Sequence, residues 1–245
     1  MRKSWLGWLR KSGECVTVRI RWLGHAGFEI GLEGRVVLVD PWLKENPKAP
    51  CKPSDLEKVD LVCVSHDHPD HLGDSIEICK RTGAVFLSTY ELASYAGEQG
   101  VERTAGMNIG GTYEGLEGIT VTLVQAFHTA GKGVPVGFII RGEGKTVYHA
   151  GDTGLFGDMS LIGEIYGVDV ALLPIGDYYT MGALEAAEAV RLLKPKTVIP
   201  MHYQTLPELA QTPQEFIQQA RKRAPEVEIA VLKPGETLQI PEETF

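Results

Sequence analysis

The chain has 245 residues, 43% of them hydrophobic and 23% charged, which is enough apolar material for one full globular core and too much for a disordered segment. Its formal net charge of −8 argues against a general nucleic-acid binder, whose affinity comes from clustered Lys and Arg. Four widely spaced cysteines, Cys15, Cys51, Cys63 and Cys79, form neither a C-x-x-C pair nor a secreted scaffold, so reduced thiols in a cytoplasmic protein are expected, and no stretch reaches transmembrane length.

Residues 1–14 are basic and carry Trp5, Leu6, Trp8 and Leu9 at helical spacing. This segment is expected to pack on the domain or on a second subunit, a membrane surface being the weaker alternative for so short a basic stretch. From Val16 to Trp22 the sequence alternates as a strand, which Gly24-His25-Ala26-Gly27 interrupts and Phe28 to Ile30 resumes. Arg35 to Val39 follows a glycine turn as an antiparallel partner and ends in Asp40-Pro41. Lys44 to Ser54 holds Pro47, Pro50 and Pro53 and reads as a loop, and Leu61 to Val64 reads as a strand buried on both faces.

Asp74-Ser75-Ile76-Glu77 predicts a capping box opening a helix that Gly83 ends. Ala84 to Leu87 predicts a strand and Tyr90 to Gln99 a helix. Beyond Gly118 strands are predicted over Ile119 to Ala126, Val136 to Ile140, Thr146 to Tyr148 and Val170 to Leu173. A helix from Gly182 to Leu193 sets Leu184, Ala187, Val190 and Leu193 on one face, and Thr197 to Ile199 leads into His202. Thr212-Pro213-Gln214-Glu215 opens a last helix, before a hairpin of Ile229 to Leu232 and Thr237 to Ile240 around Lys233-Pro234-Gly235. The order predicts a single α/β domain over 1–245: two mixed sheets flanked by helices, a four-layer αβ/βα sandwich.

The chain is organised around Ser65-His66-Asp67-His68-Pro69-Asp70-His71-Leu72-Gly73, which sets three histidines and two aspartates in six consecutive residues after a buried strand. Imidazole nitrogen and carboxylate oxygen suit a borderline cation such as Zn²⁺. In extended geometry His66 and His68 project to one side and can grip one ion. Pro69 then fixes a turn that directs Asp70 and His71 to a neighbouring position. One tetrahedral site cannot take all four with a distant partner, whereas two ions about 3.5–4 Å apart can, and such a pair suits hydrolysis.

Other candidate donors also follow apolar strands: His128 after Phe127, Asp152 in His149-Ala150-Gly151-Asp152-Thr153, and His202 after Met201. Ligands gathered from the C-terminal ends of several strands converge on one crevice in α/β sheets.

The order Asp40, His66-x-His68-x-Asp70-His71, His128, Asp152, His202 resembles the five-motif pattern of the metallo-β-lactamase superfamily. The phrases Gly24-His25-Ala26-Gly27-Phe28, His149 to Thr153 and Leu173-Pro174-Ile175-Gly176 further resemble a branch of compact metal-dependent hydrolases related to the ascorbate-phosphate lactonases. That resemblance implies that His66, His68 and His128 hold one ion, that Asp70, His71 and His202 hold the other, and that Asp152 bridges them. A carboxylate has two oxygens with which to span two cations, and an imidazole has one free nitrogen.

Asp70 is then placed to orient or deprotonate the attacking water, and Asp40 to fix a histidine tautomer from the second shell. His25, between glycines, is expected to contact substrate or donate a proton, and His149 to be a second-shell or structural residue. In the branch resembled, the phrase after Ile175-Gly176 frequently carries a His, whereas this chain reads Asp177-Tyr178-Tyr179-Thr180-Met181-Gly182. That departure leaves the metal set intact and makes Tyr178 and Tyr179 candidate substrate contacts.

The expected function is a binuclear hydrolase in which a metal-bridged hydroxide attacks an ester, lactone or phosphodiester bond of a small anionic substrate. Zn²⁺ suits the donors best, and Mn²⁺, Fe or Ni²⁺ are compatible with them. A homo-oligomer is equally compatible with the sequence. The alternatives are an RNA-processing phosphodiesterase on the same fold, against which the acidic balance stands, and a non-catalytic metal-dependent binding or sensing module.

Overall fold

A computed structural model describes residues 16–241, so the expectation for the basic Trp-containing segment at 1–14 lies outside the described residues. The first half is built from β1 (Val16–Gly24), β2 (Gly27–Leu32), β3 (Arg35–Val39), β4 (Leu61–Cys63), α1 (Pro69–Leu72), α2 (Ser75–Thr82), β5 (Val85–Thr89), α3 (Tyr90–Glu98) and β6 (Thr104–Met107). The second half comprises β7 (Thr112–Leu116), β8 (Ile119–Gln125), β9 (Val136–Gly142), β10 (Lys145–His149), α4 (Met159–Tyr166), β11 (Val170–Pro174), α5 (Ala183–Leu193), β12 (Thr197–Met201), α6 (Gln214–Arg223), β13 (Glu228–Ile229) and β14 (Thr237–Pro241).

These form two seven-stranded mixed sheets, in the orders β14-β1-β2-β3-β4-β5-β6 and β13-β12-β11-β10-β9-β8-β7. In each sheet the outer antiparallel strands give way to parallel pairing, from β3 to β6 in the first and from β10 to β13 in the second. Period-two alternation builds the interior: Val18, Ile20 and Trp22 of β1 are buried, while Arg21 faces out and pairs with Glu29 at 3.2 Å. Between the sheets Trp22, Phe28, Val121, Phe138 and Tyr148 share one core with residues of α5 and α6. Under α2 and α3, Leu38, Val62, Phe86, Ile78, Leu92 and Ala96 form a second core. The order of layers is therefore helices, sheet, sheet, helices, the expected α/β sandwich.

Four local expectations are corrected. Lys233-Pro234-Gly235 does not close a hairpin: β13 joins β12 in parallel, and β14 crosses to the other sheet to pair antiparallel with β1. The capping box at Asp74 does not form, because the Asp74 carboxylate instead accepts from the amides of Leu43 (2.8 Å) and Lys44 (3.0 Å) and anchors the loop after β3. Leu184 lies off the buried face of α5, which Ala186, Ala187, Ala189, Val190 and Leu193 supply. Finally, β6, β7 and α4 are additional elements.

Candidate metal centre

The site lies where the two sheets meet, at the C-terminal ends of their strands. The loop after β4 and the short α1 carry His66, His68, Asp70 and His71; the chain beyond β8, β10 and β12 carries His128, Asp152 and His202. His68 is extended (φ −64°, ψ 145°) and Pro69 opens α1, so the chain turns at that residue and sends Asp70 and His71 away from the His66–His68 pair. The chain leaving β12 delivers its donor with a strained, left-handed backbone, His202 at φ 57°. Gly176, in the neighbouring loop, lies so close to that residue that a Cβ would fall 2.1 Å from the His202 carbonyl.

The side chains converge in two sets. Donor atoms of His66, His68 and His128 lie within 4.8 Å of one another, as do those of His25, Asp70, His71 and His202, and a third grouping of His66, His71 and Asp152 joins the two. His66 Nε2 and His68 Nδ1 are 3.0 Å apart. Two nitrogens on one tetrahedral Zn²⁺ would be about 3.3 Å apart, given bonds of about 2.0–2.1 Å. Asp152 Oδ2 is central, at 3.1 Å from His202 Nε2, 3.2 Å from His71 Nε2 and 3.6 Å from His128 Nε2.

Several of these atoms lack any hydrogen-bond partner although they are buried: His71 Nε2, His202 Nε2 and Asp152 Oδ1. Leaving a buried polar atom unpaired costs about 1–3 kcal/mol. His71 Nε2 and His202 Nε2, each within 3.2 Å of one Asp152 oxygen yet in no hydrogen-bond geometry to it, fit a cation that they would share, so the donor set accommodates metal.

Burial alone would lower the His71 pKa, but Asp152 and Asp40, on either side of the ring, hold it well above the usual imidazole range. Burial would raise Asp152, yet His202 and His71 hold it well below the usual carboxylate range. Burial pushes His66 down to about 2, with His71 adding to the shift. Burial likewise lowers His128.

The remaining expected residues occupy distinct places. Asp40, fully buried, accepts from His71 Nδ1 at 2.7 Å and from the Ser65 amide and hydroxyl at 2.7 and 2.6 Å. His25 is also fully buried, with Nε2 3.0 Å from Asp70 Oδ2 and Nδ1 2.6 Å from Thr205 Oγ1. His149 binds backbone only, through Nε2 to the Ala26 carbonyl at 2.8 Å and Nδ1 from the Gly151 amide at 3.1 Å, and so ties the turn at β1–β2 to the Asp152 loop. Tyr178 and Tyr179 are exposed on the loop after β11, their rings edge to face at 4.8 Å. That loop is held by a hydrogen bond from the Met181 amide to the Thr153 carbonyl, next to Asp152.

Three contributors escaped the sequence reading. Ser65 bridges Asp40 to His66 Nδ1 (2.9 Å), Asp67 accepts from the Gly131 amide at 2.7 Å and so ties the His66 loop to the loop after His128, and Thr205 supports His25. Small hydroxyl and exposed carboxyl side chains carry no spacing signal; only adjacency to His66 and His202 pointed their way.

The chain is similar to known proteins along most of its length. A family model described as a beta-lactamase superfamily domain matches residues 35–203. The UPF0173 metal-dependent hydrolase of Methanopyrus kandleri is 51% identical over 231 residues, covering 91% of this chain and 100% of that protein. The UPF0173 metal-dependent hydrolase of Caldivirga maquilingensis is 49% identical, covering 91% of this chain and 98% of its own length. Among solved structures, Igni18, a metallo hydrolase from the hyperthermophilic archaeon Ignicoccus hospitalis, superposes with a TM-score of 0.85 at 42% identity, covering 91% of this chain and 98% of that one. With its donors gathered at the strand ends of two facing sheets, the chain belongs to the beta-lactamase superfamily, among the UPF0173 metal-dependent hydrolases.

Proposed function

We propose that the centre is binuclear, with His66, His68 and His128 holding one ion, Asp70, His71 and His202 the other, and Asp152 between them. Two divalent cations, Zn²⁺ by the character of these donors with Mn²⁺, Fe or Ni²⁺ compatible, would supply Lewis-acid polarisation and a hydroxide nucleophile at neutral pH. The observation that carries this reading is that the donors fall into two sets, one of His66, His68 and His128 and one that includes Asp70, His71 and His202, with a third grouping of His66, His71 and Asp152 joining them.

The substrate is a small anion with an ester, lactone or phosphodiester bond. Asp70, whose side chain is 24% exposed, stands at the solvent side of the cluster and is ionised, so it can orient the attacking water and accept its proton. Asp40 orients His71 through the Nδ1–H contact, so that Nε2 is the nitrogen that would give up its proton to a metal. Tyr178 and Tyr179, exposed on the loop after β11, would offer faces and hydroxyls to the part of the substrate that does not react. The expected setting is the cytoplasm, in keeping with the free thiols of Cys51, Cys63 and Cys79. No helix among the described residues is long and apolar enough to cross a membrane.

Metal analysis of chain purified without chelator, followed by a hydrolysis panel of esters, lactones and phosphodiesters with each metal restored, tests this. Two equivalents of metal and a chelator-sensitive activity are expected, and His68→Ala should lose metal and activity together. Undiminished hydrolysis after exhaustive chelation would refute it.

A further inference from the structure

His25 differs from the histidines around it. His71 and His202 leave Nε2 without a hydrogen-bond partner, as a ligand nitrogen should, whereas both ring nitrogens of His25 are engaged. Asp70 is a carboxylate and can only accept, so the proton must lie on His25 Nε2. A neutral imidazole then has a lone pair at Nδ1, which the Thr205 hydroxyl fills as donor at 2.6 Å. The ring is fully buried, a setting that favours the neutral form.

The ring is held in place by its surroundings. His25 adopts a left-handed backbone (φ 55°), and its carbonyl accepts from the His202 amide at 3.0 Å and the Trp22 indole at 2.9 Å. Its ring lies over that of His202 with centroids 3.9 Å apart and meets Trp42 edge-on at 5.2 Å. Thr205, three residues beyond His202, is itself buried. The segment that supplies one donor thus also supplies the hydroxyl behind another.

We infer that Thr205 is a positioning residue whose hydroxyl holds His25 in its Nε2–H tautomer, so that this N–H pins one oxygen of Asp70 and presets the carboxylate for the second ion. The inference rests on the binuclear reading above. It makes His25 a buttress of Asp70 rather than a fourth ligand.

Titration of the full chain with Co²⁺, followed by absorbance and by melting temperature, tests it. Thr205→Val removes the hydroxyl at nearly constant volume and should weaken the second equivalent of Co²⁺ about 10- to 100-fold while leaving the first unchanged. Thr205→Ser should restore wild-type binding. His25→Asn suits the left-handed backbone but is too short to join Thr205 to Asp70, and should weaken the same equivalent, which keeps the test open if Thr205→Val fails to fold. A merely structural threonine would lower the melting temperature without separating the two equivalents. Two tight equivalents in Thr205→Val, or equal losses in the Val and Ser variants, would overturn the inference alone. A wild-type chain that takes up a single equivalent would overturn the binuclear reading and this inference with it.

Discussion

Asp40→Asn changes one atom type in a side chain that solvent does not reach. Asn tolerates the left-handed backbone at this position (φ 45°), so the effect must come from hydrogen bonds. In the wild type, Oδ1 accepts from the Ser65 amide at 2.7 Å, and Oδ2 accepts from the Ser65 hydroxyl at 2.6 Å and from His71 Nδ1 at 2.7 Å.

An amide can occupy this place in two ways. With its NH₂ at Oδ1, two donors face each other at the Ser65 amide. With its NH₂ at Oδ2, the Ser65 contact survives, because that hydroxyl can accept and send its own proton to His66 Nδ1, 2.9 Å away. His71 Nδ1 must then accept, and the ring proton moves to Nε2, the atom that should meet metal. The second arrangement avoids an unpaired buried donor worth about 1–3 kcal/mol and is preferred. Its consequence is a blocked ligand.

The expected loss is about 10- to 100-fold in affinity for the ion beside His71, or about 1.4–2.8 kcal/mol, and the ion beside His66 should weaken as well, because a Ser65 proton sent to His66 Nδ1 puts that ring's own proton on Nε2. Competition with a chromophoric chelator measures both affinities. Wild-type affinity for both ions in Asp40→Asn would refute the reasoning, because it would show that the Nδ1 contact does not set the tautomer.

Two glycine substitutions separate stability from metal binding. Gly176→Ala would put a Cβ 2.1 Å from the His202 carbonyl, and Gly163→Ala would put one 2.3 Å from the Leu193 carbonyl, far along α4 and α5. Each should destabilise by about 1–3 kcal/mol, or about 2–12 °C in Tm by calorimetry, but only Gly176→Ala should also weaken metal binding. Acid should destabilise the metal-free chain. His25 titrates near pH 6.5 when unfolded and near 4 when folded, so between those values the unfolded chain binds protons that the folded chain refuses and stability falls as pH falls. His66, lowered further by burial, acts in the same direction, while His71, raised by its two aspartates, is already protonated in the folded chain and opposes the fall only near pH 6.5, where the unfolded ring is still taking up its proton. A urea midpoint that holds constant or rises on acidification would contradict this.

What could be read from the chain follows from where the information sits. The buried strands were legible because Leu61–Val64 and Val170–Leu173 are continuous apolar runs between turn signals, and the donors because His and Asp stand directly after such runs. The reversal at Lys233-Pro234-Gly235 was legible as a turn. Which sheet each arm joins was not, since turn chemistry is local and the pairing of β14 with β1 spans the chain. The short β6 and β7 lack a buried face, and α4 exposes Leu161 and Ile165, so neither pattern offers a clear period. Asp74 looked like a cap because its spacing is that of a cap, and tertiary structure used its carboxylate elsewhere. The tautomers set by Ser65 and Thr205 depend on contacts across 25 and 180 positions, which no window along the chain contains.

The crossing of β14 has a consequence for biosynthesis. Until β14 and the turn before it have left the ribosome, β1 has an open edge, and the bonds that fasten it, Gly235 amide to Trp22 carbonyl at 2.7 Å and Trp22 amide to Glu236 carbonyl at 3.1 Å, cannot form. Trp22 is the residue whose indole clasps the His25 carbonyl. A nascent chain therefore exposes a sticky strand border until β14 is available to cover it, and the clasp on His25 is completed only then.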